Sequence, residues 1–419
     1  MTIYLQADRL YKDNMKNLEF DHLVRELKTS KVPLVIFGSK KIGALTYHAL
    51  NSVGVKVDYF CDDAEQERSK KNIFNIPIIS SKELQKLDPN LNIFIGAWVV
   101  YHILPQLEKI KLKNIHDCVN LFKNTNFSKL NTGMTPHEIK RRIDIYKAEC
   151  DAVKTVNPSS FNLKYVDITV TEACSMKCES CSNLMQYYLK PRNSDLSLLF
   201  NSIDKLMKVT DSLYEFRVVG GEPFVHKQIG KVINKLLTYK TIKEIVIYTN
   251  ATIIPKGENF ECLKNDKIFI EITDYGSLSK KRDELIKLLE ANNIRYQSII
   301  PIWTDSGTLK YQNATEEQLI EKFNNCCMVD KTTILNGKLY RCPFSANAHN
   351  LDAIAPNKND VVDLNDDNKT IDEIKKEIVS LHGNKKYLEA CKHCNGRDHL
   401  APKIKAAIQT RRPLPIPKY

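Results

Sequence analysis

Residues 164–181 read KYVDITVTEACSMKCESC. The first seven are a strand signal, and directly after them come Cys174, Cys178 and Cys181. With 12 cysteines in 419 residues, three at one preset spacing would arise by chance in about one chain in a hundred. Three thiolates on a short loop can hold three irons of a [4Fe-4S] cube. The fourth iron then has no protein ligand, and an open iron is a place where another molecule can bind. A structural zinc site, which takes four ligands, stands as the alternative.

Outward from this loop, strand signals recur at 214–220 (YEFRVVG), 244–250 (EIVIYTN), 267–273 (KIFIEIT) and 295–300 (RYQSII). Helical stretches separate them at 196–209, 226–239 and 280–292. Regular alternation of strand and helix predicts a parallel βα barrel or part of one over 161–312. The next segment, 313–419, opens on a hairpin, TTILNGKLYRC, whose Asn336-Gly337 pair is a strong two-residue turn signal. The Asn/Asp-rich stretch 357–369 reads as an exposed loop.

Upstream, LVIFG (34–38), a helix from 41 to 53, VKVDYF (55–60) and NIFIGA (92–97) predict a doubly wound α/β domain over 1–125. Glycines in Gly38-Ser-Lys-Lys-Ile-Gly43 would let a helix N-terminus approach a phosphate, and Asp62-Asp63 could meet a ribose hydroxyl. Lys40 replaces the middle glycine of the dinucleotide fingerprint, so a plain turn and a nucleotide site both stay open. The polar stretch 126–160 is expected to be a helical linker, with Thr135 as N-cap and Pro136 at the first position.

The length predicts two or three domains, and 42% apolar with 27% charged residues is the composition of an ordinary globular protein. No apolar run reaches the ~18 to 20 residues of a membrane span. Acids within the first 13 residues argue against a secretory leader, so a cytoplasmic location is expected, where clustered cysteines bind metal more often than they form disulfides. The net charge of +12 suits an anionic partner, but residues 395–419 hold six Lys/Arg against one Asp, a basic tail expected to be solvated. Nothing in the pattern suggests a nucleic-acid-binding fold.

The cysteine loop followed some 40 residues later by Gly220-Gly221-Glu222-Pro223 resembles the radical S-adenosylmethionine (radical SAM) superfamily. In that family the open iron chelates the amino and carboxyl groups of S-adenosylmethionine. One electron cleaves the sulfonium to methionine and a 5′-deoxyadenosyl radical, which takes a hydrogen atom from the substrate. The resemblance implies that Cys174, Cys178 and Cys181 are the catalytic cluster ligands and that Gly220, Gly221 and Glu222 bind the methionine amino group. It also implies ribose and carboxylate contacts from Thr249, Asn250 and Asp274, whose plainer reading is as turn-forming residues. Ser180 stands where the family commonly has an aromatic, which makes Tyr187 or Tyr188 candidates for adenine packing.

Cys327, nine residues, Gly337, four residues, Cys342 and then Cys391-Lys-His-Cys394 resemble the auxiliary-cluster extension known as the SPASM or, when shortened, twitch domain. Four ligands, Cys327, Cys342, Cys391 and Cys394, fit the shortened form with one fully ligated [4Fe-4S] cluster. Cys326 could replace Cys327, and a four-thiolate zinc site stays open. His393 is expected beside the ligands or in solvent, and Cys61, Cys118, Cys150 and Cys262 as small core residues.

The segment 59–84, YFCDDAEQERSKKNIFNIPIISSKEL, resembles small Rossmann-like domains fused to enzymes that modify nucleotide sugars. Together the resemblances imply a partial (βα)6 radical SAM barrel with a Rossmann-like N-terminal domain and a twitch-like C-terminal one. They imply a sugar or nucleotide-linked sugar substrate, dehydrogenated or epimerised, a nucleotide sugar at the N-terminal domain, and an electron donor such as flavodoxin or ferredoxin. Modification of a ribosomally made peptide is the alternative, and a non-catalytic iron–sulfur or zinc scaffold the second alternative.

Overall fold

The computed structural model describes residues 15, 18–63, 69–97, 100–154, 161–328, 331–355, 357–383, 386–398 and 401–417; the stretch 1–14, read above for a leader, lies outside them. The chain divides into two compact units, Met1–Pro158 and Ser159–Tyr419, in place of the four segments expected.

In the first unit the strands are β1 (Leu34–Phe37), β2 (Tyr59–Cys61), β3 (Asn72–Ile73), β4 (Ile76–Ile79), β5 (Asn92–Ile95) and β6 (Asn114–His116). They form one sheet in the order β3-β4-β2-β1-β5-β6, parallel throughout except for the short β3–β4 pair. β1 and β5 are buried at every position, the pattern of parallel strands covered on both faces. The strand order reverses between β1 and β5, the switch point of a doubly wound sheet.

The helix Pro136–Lys154 begins where the sequence places it, with Thr135 and Glu138 exchanging hydrogen bonds as a capping box. It is not a linker. Tyr146 is fully buried, donates to the Ile95 carbonyl (2.8 Å) and accepts from the Cys118 amide (3.1 Å), which makes the helix part of the first unit's core.

The second unit contains β7 (Asn162–Thr169), β8 (Ser212–Val219), β9 (Ile242–Thr249), β10 (Ile268–Thr273), β11 (Tyr296–Ile299), β12 (Trp303–Thr304), β13 (Lys331–Leu335), β14 (Lys338–Tyr340), β15 (Val361–Asp363) and β16 (Lys403–Ile404). An eight-stranded sheet runs β11-β10-β9-β8-β7-β13-β14-β15, and β12 pairs with β16 apart from it. β7 to β11 are parallel and consecutive, as the alternating pattern predicts. The sixth parallel strand departs from that pattern: β13, from beyond the expected boundary at 312, adds to β7 instead of a strand following β11. The expected C-terminal domain therefore shares the sheet, through a hairpin whose Asn336 (φ 47°) and Gly337 (φ 81°) take the positive angles of a two-residue turn. The Asn/Asp-rich stretch is not simply a loop either, since β15 pairs with β14 and Asn365 donates to Ser202 Oγ (2.7 Å).

The two faces of this sheet differ in chemistry. Val166, Ile168, Val218, Ile245, Ile247 and Ile270 join one apolar core with Leu199, Ile203, Val232, Leu236, Leu285 and Ile378 of the flanking helices. The alternate positions carry buried Asp167, Glu215, Glu244, Glu271 and Gln297. Asp167 is ion-paired to Arg217, whose guanidinium stacks over Tyr165 (5.3 Å) and Tyr248 (5.4 Å), and Arg295 pairs with Glu244 at 3.1 Å. Burial, with Arg217 nearby, pushes the Lys331 ammonium down to about 7. Charged groups withdrawn from water to this extent cost free energy unless paired, so this face is built to be polar.

Candidate functional site

The cysteine loop leaves the end of β7 and lies directly on the turn after β8. The amides of Gly221 and Glu222 donate to the carbonyls of Thr171 and Ala173, both at 2.9 Å. A Cβ on Gly220 would stand 2.6 Å from the Thr171 oxygen, and one on Gly221 2.2 Å from the Ala173 oxygen. Only glycine permits that approach. Cys174, Cys178 and Cys181 share a small apolar cluster with Met176, Tyr275, Leu278, Trp303 and Ala407. Burial raises all three thiols, Cys174 to about 12 and Cys178 to about 11. Such thiols are poor nucleophiles, and a bound cation would reverse their protonation. Their sulfurs also accept hydrogen bonds, Cys174 from the Met176 amide (3.4 Å) and Asn250 Nδ2 (3.7 Å), and Cys178 from Gln409 Nε2 (3.1 Å).

Glu222, Thr249, Asn250 and Asp274 lie at the same strand ends, and Glu222 and Thr249 face each other. Glu222 is fully buried; its carboxylate accepts from the Asn250 amide (2.7 Å), Thr249 Oγ1 (2.9 Å) and the Phe224 amide (3.1 Å), and burial raises it to about 7. It ties the ends of β8 and β9 together, and Thr249 is used in the same tie. Asn250 points the other way, its Nδ2 reaching Ser175 Oγ (3.1 Å) as well as Cys174. Asp274 caps the Gly276 amide (2.8 Å) and pairs with Arg282. The adjacent Tyr275, not Asp274, belongs to the thiol cluster, where it meets Trp303 edge-on at 5.8 Å. Tyr187 and Tyr188 are elsewhere: Tyr187 is in a separate core, and the Tyr188 hydroxyl donates to Asn347 (2.8 Å) and accepts from Asn350 (2.9 Å).

The second cysteine set assembles with one change of partner. Cys326, Cys342, Cys391 and Cys394 line a single pocket together with Lys322, Phe323, Met328, Arg341, Phe344, Leu388, Ala390 and Gly396. Cys327 is exposed, its amide bonded to the Arg397 carbonyl (3.1 Å), whereas Cys326 is turned inward by a bridge to Asp398. Neighbouring residues in an extended segment point to opposite sides, so only one of the pair can face the pocket. Burial raises Cys342, Cys391 (to about 11), Cys394 (to about 12) and Cys326. Amides of Met328, Ser345 and Gly396 donate to Cys326, Cys342 and Cys394 at 3.5, 3.4 and 3.2 Å. Lys322 holds the carbonyls of Cys391 (3.0 Å) and Cys394 (2.7 Å). His393 is buried against the Leu309 carbonyl (3.0 Å). All 12 cysteines are free thiols, and the four isolated ones are buried. Among the described residues no three His, Cys, Asp or Glu side chains are drawn closely enough together to hold one metal ion.

In the first unit, the Gly38 turn closes on itself. Asp62 accepts from both the amide (3.0 Å) and hydroxyl (2.9 Å) of Ser39, and Asp63 accepts from the Ser81 amide (2.8 Å). A Cβ on Gly43 would stand 2.0 Å from the Gly38 oxygen, so the glycines serve contact between helix and strand. No described helix is long and apolar enough to cross a membrane.

Of the residues that touch the two thiol sets, Gln409, Trp303, Lys322 and Arg397 had no sequence signal. Tyr275 alone was accessible in principle, as the aromatic at the end of a recognised strand.

No family model matches the chain. Its sequence is 27% identical over 146 residues to a GTP 3',8-cyclase of Clostridium acetobutylicum, 31% of this chain and 45% of that protein. It is 22% identical over 228 residues to a GTP 3',8-cyclase of Alkaliphilus metalliredigens, 43% of this chain and 70% of that protein. The chain thus spans less than half the length of the first of these relatives. Among solved structures, 57% of the chain matches 94% of BtrN in complex with AdoMet and 2-DOIA, at 16% identity and a TM-score of 0.41, too low to carry an argument. Taken with the three-cysteine loop, the sequence matches make this chain a relative of the radical SAM enzymes.

Proposed function

We propose that the second unit binds two [4Fe-4S] clusters and that the protein is an S-adenosylmethionine-cleaving enzyme acting on a polar small molecule. The observation that carries the reading is the loop of three thiols in one apolar cluster, Cys178 buried and Cys174 and Cys181 half-buried, whose Thr171–Cys174 stretch lies against Gly220-Gly221 at the strand ends. Three thiols match the donor set of a cube with one open iron, and the four around the second pocket match a closed one. When bound, the open cube supplies one electron to the sulfonium of S-adenosylmethionine, from which hydrogen abstraction follows.

The chain's own residues prepare that site. Glu222 and Thr249 lock the ends of β8 and β9. The side-chain Nδ2 of Asn250 donates to Cys174, and Tyr275 and Trp303 form an apolar wall beside the thiols. The backbone carbonyls of Gly220 and Gly221, freed of side chains, are the groups we assign to the methionine amino group. The polar face lined by Asp167, Arg217, Glu271 and Gln297 suits a substrate rich in hydroxyl or charged groups. A nucleotide- or sugar-bearing substrate is favoured by the name of the relatives, which specifies GTP. The partial-barrel, twitch-like and Rossmann-like descriptions of the domains, and a flavodoxin- or ferredoxin-type electron donor, are part of the same proposal.

The test is incubation of reconstituted, reduced protein with S-adenosylmethionine under argon. Formation of 5′-deoxyadenosine is expected, increased by nucleotide sugars; none with any candidate substrate would sink the enzyme reading. Stimulation by short peptides instead would move the substrate to the peptide class.

A further inference from the structure

The segment read from its charge as a solvated tail is, over 403–410, a structural part of the first cysteine loop. β16 pairs antiparallel with β12, which places the following residues against the loop. There Cys178 and Gln409 form an antiparallel bridge. The Glu179 amide donates to the Ile408 carbonyl, and the Thr410 amide to the Lys177 carbonyl, both at 2.8 Å. Lys177 N–H donates to Gln409 Oε1 (2.8 Å), while Gln409 Nε2 donates to Cys178 Sγ (3.1 Å). Three consecutive residues of the loop, 177–179, thus take hydrogen-bond partners from residues some 230 positions away, Lys177 and Glu179 through their backbone and Cys178 through its sulfur. Ala407, nearly buried, packs into the apolar cluster of the three thiols.

We propose that residues 403–410 are a strap that sets the shape of the first cysteine loop, and that Gln409 is a positioning residue whose side-chain amide tunes the cluster held there through the Cys178 sulfur. The inference rests on the first-cluster reading given above. A hydrogen bond donated to a cluster sulfur favours the reduced, more negative state, and such bonds are among the determinants of cluster potential. Gln409 is itself exposed at the surface, so water can partly replace its amide when it is removed. A carboxylate in its place adds a charge that water does not cancel. It would also keep the acceptor used by Lys177 N–H.

The test is an anaerobic redox titration of the full chain, followed by the electron paramagnetic resonance signal that responds to S-adenosylmethionine, with iron content measured in parallel. Gln409→Glu is expected to shift the reduction equilibrium toward the oxidised cluster by about tenfold, or about 59 mV for one electron. Gln409→Leu should shift it in the same direction by less, and the second cluster's signal should stay unchanged in both. Loss of the first cluster alone in Gln409→Leu would also support the strap. Wild-type potentials and wild-type iron in both variants would overturn it. Absence of any S-adenosylmethionine-responsive signal in the wild-type protein would overturn the cluster reading beneath it as well.

Discussion

The two thiol sets differ in how they are assembled. Cys174, Cys178 and Cys181 come from one eight-residue loop, and the turn after β8 and the strap at 403–410 merely hold it. Cys326, Cys342, Cys391 and Cys394 come from three separate segments, brought to one pocket by the β13–β14 hairpin, Lys322 and the bridge at Asp398. A local set can be read from spacing. A dispersed set depends on the direction in which each backbone segment enters, and there Cys326, which the sequence left open beside Cys327, is the one that lines the pocket.

The largest effect that would break this comparison is removal of the local set. Changing Cys174, Cys178 and Cys181 together to Ala is expected to abolish 5′-deoxyadenosine formation while leaving about four of about eight irons per chain. Retained cleavage would mean that the site is elsewhere. Next, Cys326→Ala should lose the second cluster's iron, whereas Cys327→Ala should keep it; the reverse pattern would restore the spacing-based assignment.

Gly221→Ala sharpens the role of the turn. Its Cβ would stand 2.2 Å from the Ala173 oxygen, so backbone must move, at a cost on the order of 1 to 3 kcal/mol. Iron analysis should show depletion of the first cluster only. The smallest expected effect lies away from both sets. Burial and Arg341 push the His382 imidazole down to about 3, and its Nε2 is paired with Thr332 Oγ1 at 2.9 Å. The unfolded chain takes up this proton near its ordinary value of 6.5 and the folded chain does not, so stability is full above that pH and falls as pH drops from there toward 3. The residue as a whole keeps partial exposure, which reduces the effect. His382→Asn should flatten that part of the stability profile, measured by denaturant unfolding at pH 5 and 7.

The parallel strands β7 to β11 and the Asn336-Gly337 turn were legible because apolar periodicity and positive-φ preferences are local properties. The place of β13 beside β7, and the packing of the helix Pro136–Lys154 through Tyr146, were not, since both depend on which core an amphipathic surface finds. In the site, the closeness of the three thiols was legible from their spacing, and the glycines were marked by the family resemblance. Glu222 and Asp274 were assigned to a ligand by likeness, but the structure turns both toward the chain's own donors. Gln409 was hidden because a hydrogen bond across some 230 residues leaves no trace in either segment.

On the proposed function, the local set holds an open cluster and the dispersed set a closed one. The most direct measurement is the electron paramagnetic resonance spectrum of the reduced protein before and after S-adenosylmethionine, in a Cys342→Ala, Cys391→Ala variant and in the triple Cys174, Cys178, Cys181→Ala variant. The spectrum is expected to change on addition in the first variant and to stay fixed in the second. A change in the triple variant, or none in the double variant with about four irons retained, would contradict that assignment.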